Sequence, residues 1–146
     1  MATGDALGNT FENDLLKLIF NATAIANIAD NAATSPLTNL FVALHTADPG
    51  EAGDQTTSEA TYTGYARVSV ARTSGGWTVT TNSVSPVAAI TFGACTAGTN
   101  TITHASIGVA TSGASKILVY GAVTPNISVS TGVTPSLTTS TAFTAN

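Results

Sequence analysis

With 146 residues, only four of them basic and eight acidic, the chain has material for one domain with one core and too little charge for the usual Lys- and Glu-rich free surface. Its polarity comes from 27 Thr and 13 Ser, whose hydroxyls pack against a partner at little desolvation cost, so a surface covered by neighbouring proteins is expected. All eight acids lie between Asp5 and Glu59, where with Lys17 they sum to −7; residues 60–146 carry only Arg67, Arg72 and Lys116, which suits docking and excludes the basic stripe of a nucleic-acid binder.

The first residues, Met-Ala-Thr-Gly-Asp, have no basic n-region, and no apolar run reaches the length of a membrane span, so a soluble, non-secreted chain is expected. Phe11, Leu15, Leu18, Ala22, Ile25 and Ala29 recur at spacings of 4, 3, 4, 3 and 4, which predicts an amphipathic helix over Asn9 to Asp30. Asn9 followed by Glu12 has the form of a capping box, and Asn31 and Pro36 end the segment. Leu16, Ile19 and Phe20 widen the stripe, so the helix serves either its own core, a neighbour, or both. Residues 1–36 are read as a helical arm and residues 37–146 as a β-sandwich, together one structural domain.

From Pro36 onward the hydrophobic period becomes that of strands. Leu40–Thr46 is a short apolar run stopped by Asp48-Pro49-Gly50, and residues 48–61 form an acidic, Gly- and Thr-rich loop. Tyr65–Arg72 alternates, and Gly75-Gly76 predicts a hairpin into Trp77–Thr81. Val87–Phe92, Thr101–Ala110, Lys116–Val123, Ile127–Ser130 and Val133–Phe143 are further strand candidates, with turn residues between them. Many short strands at such spacing predict a mainly β protein, an antiparallel β-sandwich or jelly roll preceded by one N-terminal amphipathic helix.

Residues that carry chemistry are few. His45 has Asp48 three positions on, but no serine or cysteine stands in a nucleophile motif, and a lone strand histidine is read as structural. His45, His104 and the single Cys95 are unclustered, so neither a zinc site nor an internal disulfide is predicted. Asp48, Glu51, Asp54 and Glu59 crowd one loop without the spacing of an EF-hand; a solvated loop is favoured over a calcium site or a glycosidase pair. GVATSGASK, residues 108–116, lacks the Gly-Lys-Ser/Thr ending of a phosphate loop and precedes a strand. No catalytic, cofactor or metal residue is assigned, and no enzymatic activity is expected.

The stretch from Leu44 to Arg72, LHTADPGEAG, then a Thr-rich spacer and YTGYARVSVAR, with GWTV after it, resembles a family of small tailed-bacteriophage virion proteins labelled tail-fibre-like. SIGVATSGASKILVYGAV and ISVSTGVTP fit the same pattern, so the resemblance spans roughly residues 40–135. It implies a structural part of the phage particle, located in the virion and assembled in the host cytoplasm, without saying which part. Without collagen-like, coiled-coil or β-helical repeats, a compact domain suits a capsid decoration or cement protein first. The alternative is a tail or tail-fibre component acting in assembly or in binding a host-surface glycan. Expected partners are the major capsid protein or other virion proteins and further copies of the chain, as a dimer or trimer. No nucleic acid, membrane or cofactor is expected. The interface expected on this reading involves Phe11, Leu15, Leu16, Ile19, Phe20 and Trp77.

Overall fold

A computed structural model describes residues 9–25 and 37–144 as one helix and nine strands. The helix, α1, runs Asn9–Asn21. The strands are β1 (Asn39–His45), β2 (Val68–Ala71), β3 (Trp77–Thr80), β4 (Ser83–Pro86), β5 (Ile90–Thr91), β6 (Asn100–Gly108), β7 (Ile117–Val129), β8 (Ser136–Leu137) and β9 (Phe143–Thr144). They form a four-stranded sheet in the order β2-β1-β6-β7, a three-stranded sheet β3-β4-β9 and a two-stranded sheet β5-β8, every pairing antiparallel. The protein is thus mainly β with one N-terminal helix. The described strands do not sort into the two four-stranded sheets of a jelly roll.

The helix is shorter than its periodicity predicts. Ala22 turns the backbone to a positive φ of 53°, and Thr23 N–H donates to the Lys17 carbonyl at 3.1 Å. A non-glycine residue in that region is uncommon and persists where the surroundings hold it. Arg72 lies at this helix end, donating to the Leu18 carbonyl at 2.7 Å, to the Ile19 carbonyl, and to the Leu37 carbonyl at 3.1 Å. The last turn of α1 has no basic residue of its own, so a cation from the far end of β2 meets its partial negative charge. Ala22, Ile25 and Ala29 continue the pattern in sequence, but Ala22 and Ile25 lie past the helix end and Ala29 lies outside the described residues.

The core is continuous from the helix through the sheets. Leu16 and Phe20 of α1 are buried against Trp77 and Val84, and the Phe20 and Trp77 rings meet edge to face at 5.0 Å and 67°. β1 is central and buried along most of its length, with Leu40, Val42 and Leu44 beside Ile102, Ala105 and Ile107 of β6. Under the long loop, Tyr65 stacks on Phe92 at 6.2 Å and meets Tyr62 edge to face at 5.5 Å.

Three details differ from the strand pattern. Gly75-Gly76 makes no hairpin, because β2 and β3 belong to different sheets; a Cβ at Gly76 would meet the Ala71 carbonyl oxygen at 2.1 Å. The hairpin lies one step later, where Thr81 and Asn82 link β3 to β4 and Thr81 takes a positive φ of 56°. Lys116–Val123 and Ile127–Ser130 are one strand: β7 pairs with β6 on both sides of a bulge in which Val123–Asn126 face the single residue Thr103. Pro125 marks that bulge, a place where a missing N–H breaks no ladder bond.

Candidate functional site

The polar chemistry of the chain gathers under the loop between β1 and β2. Arg67, just before β2, has a side chain only 1% exposed, and Glu59 beside it is 18% exposed. The pair is bidentate: Nε donates to Glu59 Oε1 at 2.7 Å and Nη2 to Oε2 at 2.8 Å. A buried pair of charges is tolerable only when the remaining donors are satisfied. Arg67 meets that condition, donating also to Gln55 Oε1 (3.2 Å), the Ala110 carbonyl (3.1 Å), Ser115 Oγ (3.2 Å) and the Gly113 carbonyl (2.9 Å). The Glu59 hydrogen bonds push the guanidinium pKa further up. Tyr65 donates its hydroxyl to Glu59 at 2.9 Å and accepts from Leu44 N–H at 3.1 Å, while burial raises its phenol.

Toward the guanidinium the GVATSGASK segment presents the Ala110 and Gly113 carbonyl oxygens, the opposite polarity to a phosphate cradle, which presents N–H groups to an anion.

Gln55, His45 and Ser106 complete the node, each fully buried. His45 does not meet Asp48. Its Nδ1 lies 2.8 Å from the Thr57 carbonyl and its Nε2 lies 2.8 Å from Ser106 Oγ. Burial lowers the imidazole pKa. Gln55 donates to the Phe41 carbonyl (2.9 Å) and to Ser106 Oγ (3.3 Å), and accepts from Ser115 Oγ (2.7 Å). A Cβ at Gly108 would meet the Gln55 amide at 2.2 Å, so glycine there makes room for it.

The carboxylates of the acidic loop are mostly occupied locally. Asp48 Oδ1 accepts from Gly50 N–H at 2.8 Å, Asp54 Oδ1 accepts from Thr56 N–H and its hydroxyl at 2.7 and 2.5 Å, and Glu59 belongs to Arg67. Asp48 also stands 3.9 Å from His104, an exposed contact of little energy. Among the described residues no group of three or more His, Cys, Asp or Glu converges as a metal site. Cys95 is free and buried.

The expected interface residues are distributed differently from one continuous outer patch. Leu16, Phe20 and Trp77 are buried in the chain's own core and hold the helix to β3 and β4, so their burial reflects internal packing. Leu15 and Ile19 are half-buried, and the side chain of Phe11 lies outside the described residues. The surface that sequence patterning did not single out is the outer edge of β7. Ile117–Gly121 are half-buried there, and among the described residues no backbone group of β7 is hydrogen-bonded on the side away from β6. Splitting β7 at Pro125 hid its length and its position at the sheet margin.

Residues 6–142 match the family model described as podophage GP4 fiber I protein gp80, and the chain belongs to that family of phage virion proteins. No curated protein matches the chain. No helix among the described residues is long and apolar enough to cross a membrane.

Proposed function

We propose that this phage structural protein is a fibre component of the virion, joined to neighbouring chains through surface contacts rather than acting as an enzyme. The observation that carries the reading is the family match over residues 6–142, whose description names a fibre protein and so supports the tail-fibre alternative over capsid decoration. Two structural features support a role based on protein contact. Arg67 and Arg72 turn inward onto Glu59 and backbone carbonyls, leaving the basic half of the chain with little outward charge for a nucleic acid. Among the described residues the outer edge of β7 is unpaired and carries the apolar run Ile117–Val119, the kind of margin onto which a strand of another virion chain adds.

Gold-labelled antibodies against this chain, imaged on intact phage particles, test the reading. Label on the fibres supports it. Label spread over the shell overturns it in favour of decoration. An Ile117→Lys variant, placing a charge on the β7 edge, is expected to fold normally and to enter particles at reduced occupancy.

A further inference from the structure

Ser106 and His45 are diagonal neighbours across the β1–β6 ladder, where His45 faces His104 and Ala43 faces Ser106. The Thr57 carbonyl can only accept a hydrogen bond, so the proton of His45 sits on Nδ1, 2.8 Å away. The lone pair on Nε2 therefore faces Ser106 Oγ at 2.8 Å, the geometry of a serine with its general base. The lowered pKa of the buried imidazole keeps that lone pair free at neutral pH. Beside the hydroxyl stands the amide of Gln55, with Nε2 at 3.3 Å from Oγ. Its carbonyl oxygen receives two donors, Ser115 Oγ at 2.7 Å and the cationic Arg67 Nη1 at 3.2 Å. Two donors fixed on a carbonyl oxygen in a buried site are what stabilises a tetrahedral oxyanion. His45, Gln55 and Ser106 are 0% exposed, so they form no open site for an external substrate. The reactive partner they do have is each other.

The geometry points to a self-formed ester cross-link between Ser106 and Gln55, with loss of ammonia. Ser106 Oγ gives its proton to His45 Nε2 and bonds to the side-chain carbonyl carbon of Gln55. The negative charge that forms on Oε1 is held by Ser115 and Arg67. Collapse breaks the bond from that carbon to Nε2, and the nitrogen takes the proton back from the imidazolium and leaves as ammonia. His45 ends neutral, no oxidant or co-reactant is consumed, and the product joins the residue 46–66 loop to β6 covalently. The carbonyl carbon is one amide bond, about 1.3 Å, from Nε2, so it lies within about 5 Å of Oγ before reaction. Holding nucleophile and carbonyl at such range in one cavity replaces a bimolecular encounter by a small side-chain movement. This is a single self-modification and involves no turnover. Ser115 Oγ has no base among its partners, which assigns the nucleophile to Ser106.

Intact-mass spectrometry of the purified, folded full chain tests it. The expected mass is one ammonia below that of the sequence, with a digest yielding a joined peptide that contains Gln55 and Ser106 and is cleaved by hydroxylamine. Ser106→Ala and Gln55→Met are expected at their own full sequence masses. Ser115→Ala, which removes one oxyanion donor, is expected to show a mixture of linked and unlinked chains. A folded wild-type chain at full sequence mass overturns the proposal. So does an ammonia loss that maps to an asparagine with no joined peptide.

Discussion

The two arginines that flank β2, Arg67 and Arg72, fasten the two ends of that strand by different means. Arg67 sits in a dry node where a carboxylate, two carbonyls, an amide and a hydroxyl receive its donors. Arg72 reaches backbone carbonyls at the end of α1 and beside β1, and the neighbouring core is aromatic: Phe20 on Trp77, with Leu16 and Val84 around them. In the node every buried polar group has a partner; at the aromatic end Trp77 Nε1 is buried with none among the described residues. An apolar cluster tolerates one orphaned donor because dispersion and area burial dominate there. A node of charges has no such margin, since one missing partner leaves a desolvated charge.

Breaking the node at its charge pair is expected to have the largest effect. Arg67→Met leaves Glu59 without its bidentate partner, and a loss of about 3–5 kcal/mol is expected in urea unfolding. Phe20→Ala, at the aromatic end, empties a fully buried ring position and is expected to cost about 3–5 kcal/mol, read by the same titration. Gly108→Ala sharpens the contrast further. The new methyl drives into the Gln55 side chain, whose carbonyl oxygen is held by Ser115 and Arg67, so about 1–3 kcal/mol is expected rather than the small gain a buried methyl otherwise brings. Arg72→Gln weakens the grip on the helix end and is expected to lower stability by about 1–2 kcal/mol, with loss of helical circular dichroism before the sheets melt.

The smallest effect is a pH dependence. His45 has its folded pKa below the ordinary 6.5, so on acidification the unfolded chain takes up the proton first. Stability is therefore full above about pH 6.5 and declines as pH falls from there toward the lower folded value. Melting temperature measured from pH 8 down to pH 5 is expected to fall over that window. A His104→Gln variant is expected to keep the decline, since His104 is partly exposed and outside the node.

Much of the architecture was legible in the chain. The helix start, the strand run Leu40–Thr46, the alternation before Arg72 and the continuous β6 segment all follow from hydrophobic period. What periodicity does not encode is tertiary satisfaction of backbone groups. The helix stops at Asn21, although the apolar stripe continues, because Arg72 meets its carbonyls there. β4 is hidden because Ser83–Pro86 is too short and polar to read as a strand, yet Val84 and Pro86 are buried. The node was the least legible part: Gln55, Glu59, Arg67, Ser106 and Ser115 are scattered along the sequence, and only an arginine alternating within an apolar run hinted at an inward charge. Trp77 and Phe20 read equally well as outer anchors or core, and their complete burial places them in the core.

A double-mutant cycle on Glu59 and Arg67, followed by urea unfolding, tests most directly whether a mutually satisfied charge node fastens this end of the domain. Arg67→Met and Glu59→Leu are each expected to destabilise strongly, and the double variant is expected to recover most of either loss because no buried charge is left alone. Single variants within experimental error of wild type, or a double variant whose loss is the sum of the two singles, would contradict the account.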